Sequence, residues 1–237
     1  MVELIIEGKG RNALGTALLR RIRDGIAGAG GEPLLVRGAG GTFSAGLDLR
    51  EVTSLAPEAM AEYLRLLEEV LAALYQHPAP TAALVNGHAI AGGCVIAMCC
   101  DVRVAAADAS IKIGLNEVAL GVPFPPRTLA IVRSRLPPRY ADEVLLGGGL
   151  YAPDAARTVG LVDEVSADAE ATARRRLEAL AAHPRAVYAM VKRDLHGAAP
   201  ADLASDESVA RYLAEAVGIW TGPALREKVA AILRPKA

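Results

Sequence analysis

The sequence predicts an α/β fold in which strands and helices alternate over the first two thirds of the chain and helices fill the last third. Short apolar runs that end at glycine or asparagine alternate with longer stretches that carry apolar residues at helical spacing. Apolar residues make up 52% of the 237 positions, which is enough for a substantial core. Only 4% of the residues are aromatic, so small side chains must build much of this core.

The N-terminal part of the chain is predicted to form a strand followed by a helix. Residues 2–7 form a β-rich run that Gly8 and Gly10 end. Asn12 is a candidate N-cap for a helix over residues 13–29. The apolar face of this helix recurs every four residues, at Leu14, Leu18, Ile22 and Ile26.

The rest of the chain continues the alternation before becoming helical. Pro57 opens a long helix that extends to residue 76. Further strands are predicted at 34–37, 81–85, 101–105, 110–113 and 161–165. Further helices are predicted at 94–100, 139–147, 153–159, 168–182, 184–195, 202–217 and 223–233. We therefore divide the chain into an α/β core with the candidate ligand site, residues 1–180, and a helical C-terminal region, residues 181–237.

Charge and composition argue against several classes of partner. The formal net charge is −1, so no basic surplus favours phosphate contacts, and we expect no nucleic-acid partner. The N-terminus lacks the pattern of a signal peptide and no apolar run reaches about 18 residues, so no membrane contact is expected. The sequence has three cysteines, Cys94, Cys99 and Cys100, which lie together in an apolar stretch. An odd number in such surroundings indicates buried thiols in a reducing cytoplasm. We expect no metal site, because no second pair of soft ligands lies nearby.

Two glycine turns are the first chemical signal in the sequence. Residues 43–49 (FSAGLDL) and residues 86–94 (NGHAIAGGC) each follow a predicted strand, and the second turn precedes a helix. Glycine allows close approach of a ligand to the backbone, and the first turn of a helix offers free N–H groups. Two such turns that face each other could hold one oxyanion. Spacing alone favours a simpler interpretation, in which both turns serve packing.

Five segments together resemble the crotonase superfamily, also called the enoyl-CoA hydratase/isomerases. They are residues 11–14 (RNAL), 43–49, 86–94 with Asp101 after it, 116–121 (NEVALG) and 160–163 (GLVD). The resemblance implies a core of ββα repeats wound as a spiral and a helical C-terminal trimerisation region. It implies trimers or dimers of trimers, an acyl-CoA thioester as substrate, and no cofactor, since coenzyme A is part of the substrate. It also implies an oxyanion hole formed by the backbone N–H groups of Leu47 and Gly92.

The number of carboxylates distinguishes the reactions that the resemblance allows. Crotonase-like hydratases use two glutamates to activate water; Val95 stands at the first of these positions and Glu117 at the second. A single glutamate fits proton transfer in Δ3 to Δ2 enoyl-CoA isomerisation. The alternatives are an enoyl-CoA hydratase of low activity and a non-catalytic acyl-CoA-binding protein. Without the resemblance, Glu117 reads as an ordinary surface glutamate after a strand.

The resemblance also implies residues that border the substrate. The candidate substrate-binding residues are Arg11, Ser44, Ala45, Gly46, Gly93, Val95 and Phe124. An apolar pocket around Glu117 would raise the pKa of its carboxyl group, with Val95, Ile113, Leu115 and Val118 as candidate walls. His88 and Cys94 could be read as a base and a nucleophile, but structural roles fit their apolar neighbours better.

Overall fold

Two β-sheets stand at the centre of the computed structural model, which describes residues 1–197 and 205–234. The larger sheet is parallel throughout, in the order β1-β2-β4-β6-β9. Its strands are β1 (Val2–Ile6), β2 (Leu34–Gly38), β4 (Thr81–Val85), β6 (Val102–Ala106) and β9 (Glu164–Ser166). The smaller sheet has the order β3-β5-β7-β8, and its strands are β3 (Thr42–Ser44), β5 (His88–Ile90), β7 (Ile113–Gly114) and β8 (Leu150–Tyr151).

Helices separate pairs of strands in the first part of the chain and follow one another after β9. In the first half they are α1 (Thr16–Gly28), α2 (Leu49–Val52), α3 (Pro57–Tyr75), α4 (Gly92–Met98), α5 (Glu117–Leu120) and α6 (Pro126–Arg135). In the second half they are α7 (Ala141–Gly147), α8 (Pro153–Thr158), α9 (Ala169–Ala181), α10 (Arg185–Gly197), α11 (Asp206–Trp220) and α12 (Pro223–Leu233). No helix among residues 1–197 and 205–234 combines the length and apolar character that a membrane span requires.

Three ββα units result from this order, which confirms the fold class that the sequence predicted. In each unit, a strand of the larger sheet is followed by a strand of the smaller sheet and then by a helix. The units are β2-β3-α2, β4-β5-α4 and β6-β7-α5. Because all three units run in the same direction, the turns between the second strand and the helix meet at one edge of the smaller sheet. The candidate site lies at this edge.

Asn12 does not cap the first helix, contrary to the sequence prediction. Gly10, Arg11 and Asn12 have φ near +60° and form a left-handed turn, and α1 begins only at Thr16. The Asn12 amide instead donates to the carbonyls of Ala39 and Thr42, at 2.9 and 2.8 Å. The carboxylate of Glu51, which is remote in sequence, accepts from the Thr16 N–H and takes the capping role.

Several other boundaries differ from the predictions by a few residues. β3 lies between residues 37 and 81, where the sequence predicts no strand, and β7 begins at the end of the strand predicted at 110–113. Before β7, the Asp108 side chain accepts from the Ser110 N–H at 2.8 Å and forms a turn. The start of the helix predicted at 202–217 lies outside the described residues, and α11 is described from Asp206 onward.

The C-terminal helices pack onto the α/β core through both polar and apolar contacts. On α10, Lys192 is buried and its Nζ lies 2.7 Å from the Asp101 carboxylate, while the His196 ring stacks on Tyr75 with 4.0 Å between centroids. Helix α11 packs against α3 and α6, and α12 packs against α11. The boundary at residue 180 between a core and a C-terminal region stays a prediction.

Candidate active site

The first glycine turn presents the amide of Leu47 away from its neighbouring strand. Leu14 and Leu47 form an isolated parallel bridge, in which the Leu14 N–H donates to Gly46 O at 2.8 Å and the Asp48 N–H donates to Leu14 O at 3.3 Å. In such a bridge the residues on either side of Leu47 bond to Leu14. The N–H of Leu47 itself therefore points away from Leu14, and Leu47 is one of the residues that line the cleft.

The second glycine turn presents the amide of Gly92 at the start of a helix. Ala91 precedes α4 with φ 49° and ψ −125°, a backbone conformation that residues other than glycine rarely adopt. Two hydrogen bonds hold Ala91 in place, from its N–H to Gly114 O at 2.8 Å and from the Val95 N–H to its carbonyl at 3.0 Å. The Gly92 N–H belongs to the first turn of α4 and has no acceptor within the helix.

The two turns are in contact with each other. A Cβ atom added at Gly46 would lie 2.7 Å from Ile90 O and 3.5 Å from Gly92 N. A Cβ atom added at Gly92 would lie 3.1 Å from Leu47 Cδ2. Glycine at these positions permits the close approach, and the backbone at Leu47 and Gly92 borders one cleft.

Glu117 lies in the same cleft, at the start of the one-turn helix α5. Hydrogen bonds from Leu120 N to Asn116 O and from Gly121 N to Glu117 O, at 2.8 and 2.9 Å, close this turn. Gly121 ends it with φ 87°, which glycine adopts without strain. The short helix thus fixes the direction in which the Glu117 side chain leaves the backbone.

The Glu117 carboxyl group is buried and incompletely hydrogen-bonded. The residue is 8% exposed, and its Oε2 atom has no hydrogen-bond partner among the described residues. Burial disfavours the charged form and raises the pKa of Glu117 to about 7, although its own backbone N–H acts in the opposite direction. A carboxyl group with this pKa can both accept and return a proton near neutral pH.

The cleft around Glu117 is apolar and has a volume of about 940 Å³, which includes space open to solvent. Among the described residues that line it, Glu117 is the single ionisable one. The two turns contribute Ala45, Leu47, Leu49, Ile90, Ala91, Gly92 and Val95. The remaining walls are Leu67, Leu71, Asn116, Leu120, Val122, Phe124, Pro125, Thr128, Leu150, Trp220 and Ile232. Such a lining suits a hydrocarbon chain that meets a few polar groups at one end.

The structure brings together six of the ten residues predicted for the site. Leu47, Gly92, Glu117, Ala45, Val95 and Phe124 all line the cleft. Val95 is buried on the first turn of α4, so an apolar side chain occupies the position of the first hydratase glutamate. No second carboxylate stands among the described lining residues.

The other four predicted residues lie behind the lining and shape the turns. The Ser44 hydroxyl donates to Asn12 O at 2.8 Å and accepts from Gly46 N at 3.2 Å. A Cβ atom at Gly93 would lie 2.5 Å from Ser44 O, so glycine lets α4 approach β3. Arg11 accepts from the Ala45 N–H at 3.1 Å through its carbonyl. Contact of Arg11, Ser44, Gly46 and Gly93 with substrate stays a prediction.

Of the four residues expected to surround Glu117, Val118 is wrongly assigned. Its side chain is 46% exposed, because successive residues of a helix point about 100° apart and α5 directs Glu117 inward. Ile113 and Leu115 are buried but do not line the cleft. Val95 lines it as expected.

His88 and Cys94 have structural surroundings. The His88 ring accepts from the Lys112 N–H through Nδ1 at 2.9 Å, which joins β5 to the segment before β7. Cys94 is fully buried, and burial raises the pKa of its thiol. A thiol with a raised pKa is a poor nucleophile, so Cys94 does not fit covalent catalysis. No group of three or more His, Cys, Asp or Glu side chains in residues 1–197 and 205–234 is arranged to hold a metal ion.

Sequence reasoning missed the walls that distant helices supply. Leu67 and Leu71 on α3 belong to an apolar stripe that is typical of any core helix. Trp220 on α11 and Ile232 on α12 carry no sequence signal that links them to residues 47, 92 and 117. These contributions depend on how the C-terminal helices fold back onto α3 and α6.

A family model and several known proteins are similar to this sequence. The family model for enoyl-CoA hydratase/isomerase matches residues 12–215. Mouse mitochondrial enoyl-CoA delta isomerase 1 is 40% identical over 125 residues, which are 53% of this chain and 43% of that protein. Crotonyl-CoA hydratase of Syntrophomonas wolfei is 34% identical over 163 residues, which are 66% of this chain and 62% of that protein. The chain thus aligns with less than two thirds of the length of these relatives.

Solved structures extend the similarity of fold to nearly the whole chain. Human mitochondrial delta3-delta2-enoyl-CoA isomerase superposes with a TM-score of 0.89, covering 98% of this chain and 92% of that one, at 24% identity. At this identity the comparison establishes the fold alone. Because the family model covers most of the sequence and the same fold recurs, the chain belongs to the enoyl-CoA hydratase/isomerase family of enzymes, the crotonase superfamily.

Proposed function

We propose that this protein isomerises Δ3-enoyl-CoA thioesters to Δ2-enoyl-CoA, with Glu117 as the single acid–base group. The observation that carries the proposal is one buried carboxyl group, with pKa about 7, in an apolar cleft whose lining includes Leu47 and Gly92. Mouse enoyl-CoA delta isomerase 1, 40% identical over about half of this chain, supports the same reaction class.

The proton transfer uses one carboxylate, and two backbone N–H groups stabilise the intermediate. Glu117 removes a proton from the carbon alpha to the thioester, and the electron pair moves onto the thioester oxygen as an enolate. The N–H groups of Leu47 and Gly92 donate hydrogen bonds to this oxygen, each worth about 2.7–4 kcal/mol of barrier in comparable sites. The protonated Glu117 then returns the proton to the gamma carbon, which moves the double bond and regenerates the carboxylate.

Hydration is the second candidate, because a crotonyl-CoA hydratase is also similar to this chain. Hydration requires a bound water that is activated by carboxylates. Val95 contributes an apolar side chain to the cleft that Glu117 also lines, so the part of the lining that the structure describes offers one carboxylate rather than two. This arrangement favours proton transfer within the substrate over the addition of water.

The decisive experiment is α-proton exchange in deuterated water with a 3-enoyl-CoA, together with an isomerisation assay and a hydration assay on crotonyl-CoA. We expect exchange and isomerisation without hydration in the wild-type protein. In the Glu117→Gln variant, the rate of α-proton exchange should fall at least a hundredfold while acyl-CoA binding is retained. Unchanged exchange in this variant would remove Glu117 from the mechanism. Tight binding without exchange in the wild type would favour an acyl-CoA-binding protein.

We further propose that the protein associates with copies of itself through α10. Val187, Met190, Val191 and Leu195 lie at helical spacing on this helix and are 56–68% exposed. The opposite face of α10 is tied to the core by Lys192 and His196. An apolar row on a helix that is anchored in this way suits association into the trimer that the family resemblance implies.

A further inference from the structure

The amide of Leu47 depends on Leu14 for its direction. Hydrogen bonds from Leu14 N to Gly46 O and from Asp48 N to Leu14 O flank Leu47 on both sides. The second bond is long, at 3.3 Å, so the bridge alone holds Asp48 weakly. Any shift of the Leu14 carbonyl would therefore rotate the peptide groups on either side of Leu47.

A tyrosine on another helix fixes this carbonyl. Tyr63 is buried on α3, and its hydroxyl group donates to Leu14 O at 2.5 Å. The Leu14 carbonyl therefore accepts two hydrogen bonds, one from the Asp48 amide and one from Tyr63. Burial raises the pKa of Tyr63, and the nearby carboxylates of Glu51 and Asp48 act in the same direction. The phenol thus stays protonated and remains a donor at neutral pH.

The same strand pair is closed at its far end by Glu51. Its carboxylate accepts from the Thr16 N–H at 3.1 Å and from the Thr16 hydroxyl group. Asp48 in turn caps α2 by accepting from the amides of Arg50 and Glu51, at 3.0 and 3.3 Å. Tyr63 adds a hydrogen bond from the long helix α3 to these two tied segments, 14–16 and 46–51.

We propose that Tyr63 is a positioning residue that aims the Leu47 amide at the substrate carbonyl oxygen. The inference rests on the proposed function, since it assumes that this amide donates to a thioester. Tyr63 does not line the cleft, so it acts through Leu14 rather than on the substrate. A misplacement of about 1 Å in such a donor costs up to about a hundredfold in rate.

The test compares Tyr63→Phe with Tyr75→Phe, a matched control on the same helix. Tyr75 is also buried and donates or accepts one hydroxyl hydrogen bond, at 2.8 Å from Ser134, but it does not contact Leu14. We expect Tyr63→Phe to lower kcat for isomerisation at least tenfold with KM changed less than threefold. Tyr75→Phe should stay within twofold of the wild type in both constants.

A binding measurement separates this inference from the proposed reaction. The ratio of affinities for an acyl-CoA thioester and for the corresponding S-alkyl-CoA thioether, which lacks the carbonyl, reports hydrogen bonds to that oxygen. We expect Tyr63→Phe to lower this ratio at least threefold and Tyr75→Phe to leave it unchanged. An unchanged ratio with wild-type kcat in Tyr63→Phe overturns the inference, as does an equal loss in both variants. If the wild type exchanges no α-proton, the proposed reaction fails, and the ratio still decides the role of Tyr63.

Discussion

The burial of the Glu117 carboxyl group leads to a quantitative prediction about stability. Its pKa rises from the ordinary value of 4.5 to about 7, because burial penalises the charged form. At about 1.4 kcal/mol for each pH unit, this rise corresponds to about 3 kcal/mol. Replacing Glu117 with Gln removes the charge while keeping the shape of the side chain. The variant therefore gains the stability that ionisation takes from the wild type.

The sign of the effect follows from the direction of the pKa change. Because the folded protein binds the proton more tightly than the unfolded chain does, the favourable contribution is complete below pH 4.5 and is lost as the pH rises through 7. The difference in unfolding free energy between Glu117→Gln and the wild type should therefore be smallest near pH 4.5. It should grow by about 3 kcal/mol by pH 8 and stay level above that.

Urea denaturation at a series of pH values from 4.5 to 8.5 measures this difference. Glu178→Gln is the matched control, because Glu178 is exposed on α9 and the same chemical change occurs there in water. At each pH, the unfolding free energy of the wild type is subtracted from that of each variant. This difference cancels the contribution of all other titrating groups. If the unfolding free energy of Glu117→Gln changes with pH in the same way as that of the wild type over the whole range, the carboxyl group is not held in an apolar environment. That result would refute the reasoning.

The same pKa predicts that activity and stability respond to pH in opposite directions. Only the carboxylate can remove a proton, so kcat/KM for isomerisation should rise with pH through about 7. Over the same interval the wild-type protein loses the stability that Glu117→Gln retains. A base strong enough to act at neutral pH thus reduces the stability of the folded state.

Two further predictions concern the C-terminal helix α10. Replacing Val191 and Leu195 with Lys should lower the mass measured by sedimentation toward that of one chain. The far-ultraviolet circular dichroism spectrum should stay unchanged. An unaltered mass would remove α10 from the interface. Replacing Lys192 with Met leaves the Asp101 carboxylate without its buried cation and should cost about 3 kcal/mol in urea denaturation, whereas a neutral result would mean that the ion pair adds no net stability.

The sequence predicts the fold of this protein from local patterns, whereas the candidate site follows from the family resemblance, because spacing alone favours packing turns. The strand and helix alternation is visible in the spacing of apolar residues, and the segments around Leu47, Gly92 and Glu117 carry glycines and a carboxylate in a recognisable order. The error at Asn12 has a different origin. Its side chain bonds to Ala39 and Thr42, which are about 30 residues away, so no local rule could assign it.

The walls of the cleft were not predictable for a related physical reason. A leucine such as Leu71 looks the same in sequence whether it faces another helix or a cavity. Trp220 reaches the cleft only because α11 packs on α3 and α6, and a hydrogen bond from its indole to the Tyr212 hydroxyl group helps to hold it. Tyr212 in turn donates to Pro123 O, next to Phe124 in the lining.

Each feature that suits the cleft to enolate chemistry is unfavourable for folding by itself. One oxygen of the buried Glu117 carboxyl group has no hydrogen-bond partner among the described residues. Ala91 holds a conformation that favours glycine, and the Gly92 amide has no acceptor within its helix. Such features persist only where the surrounding structure fixes them. Here the Ala91 conformation is fixed from outside the cleft, because its N–H donates to Gly114 O on β7. The Leu47 amide is supported in a similar way, because Tyr63 on α3 donates to the carbonyl of Leu14, its bridge partner. Variants of these supports should therefore change catalysis without any contact with the substrate.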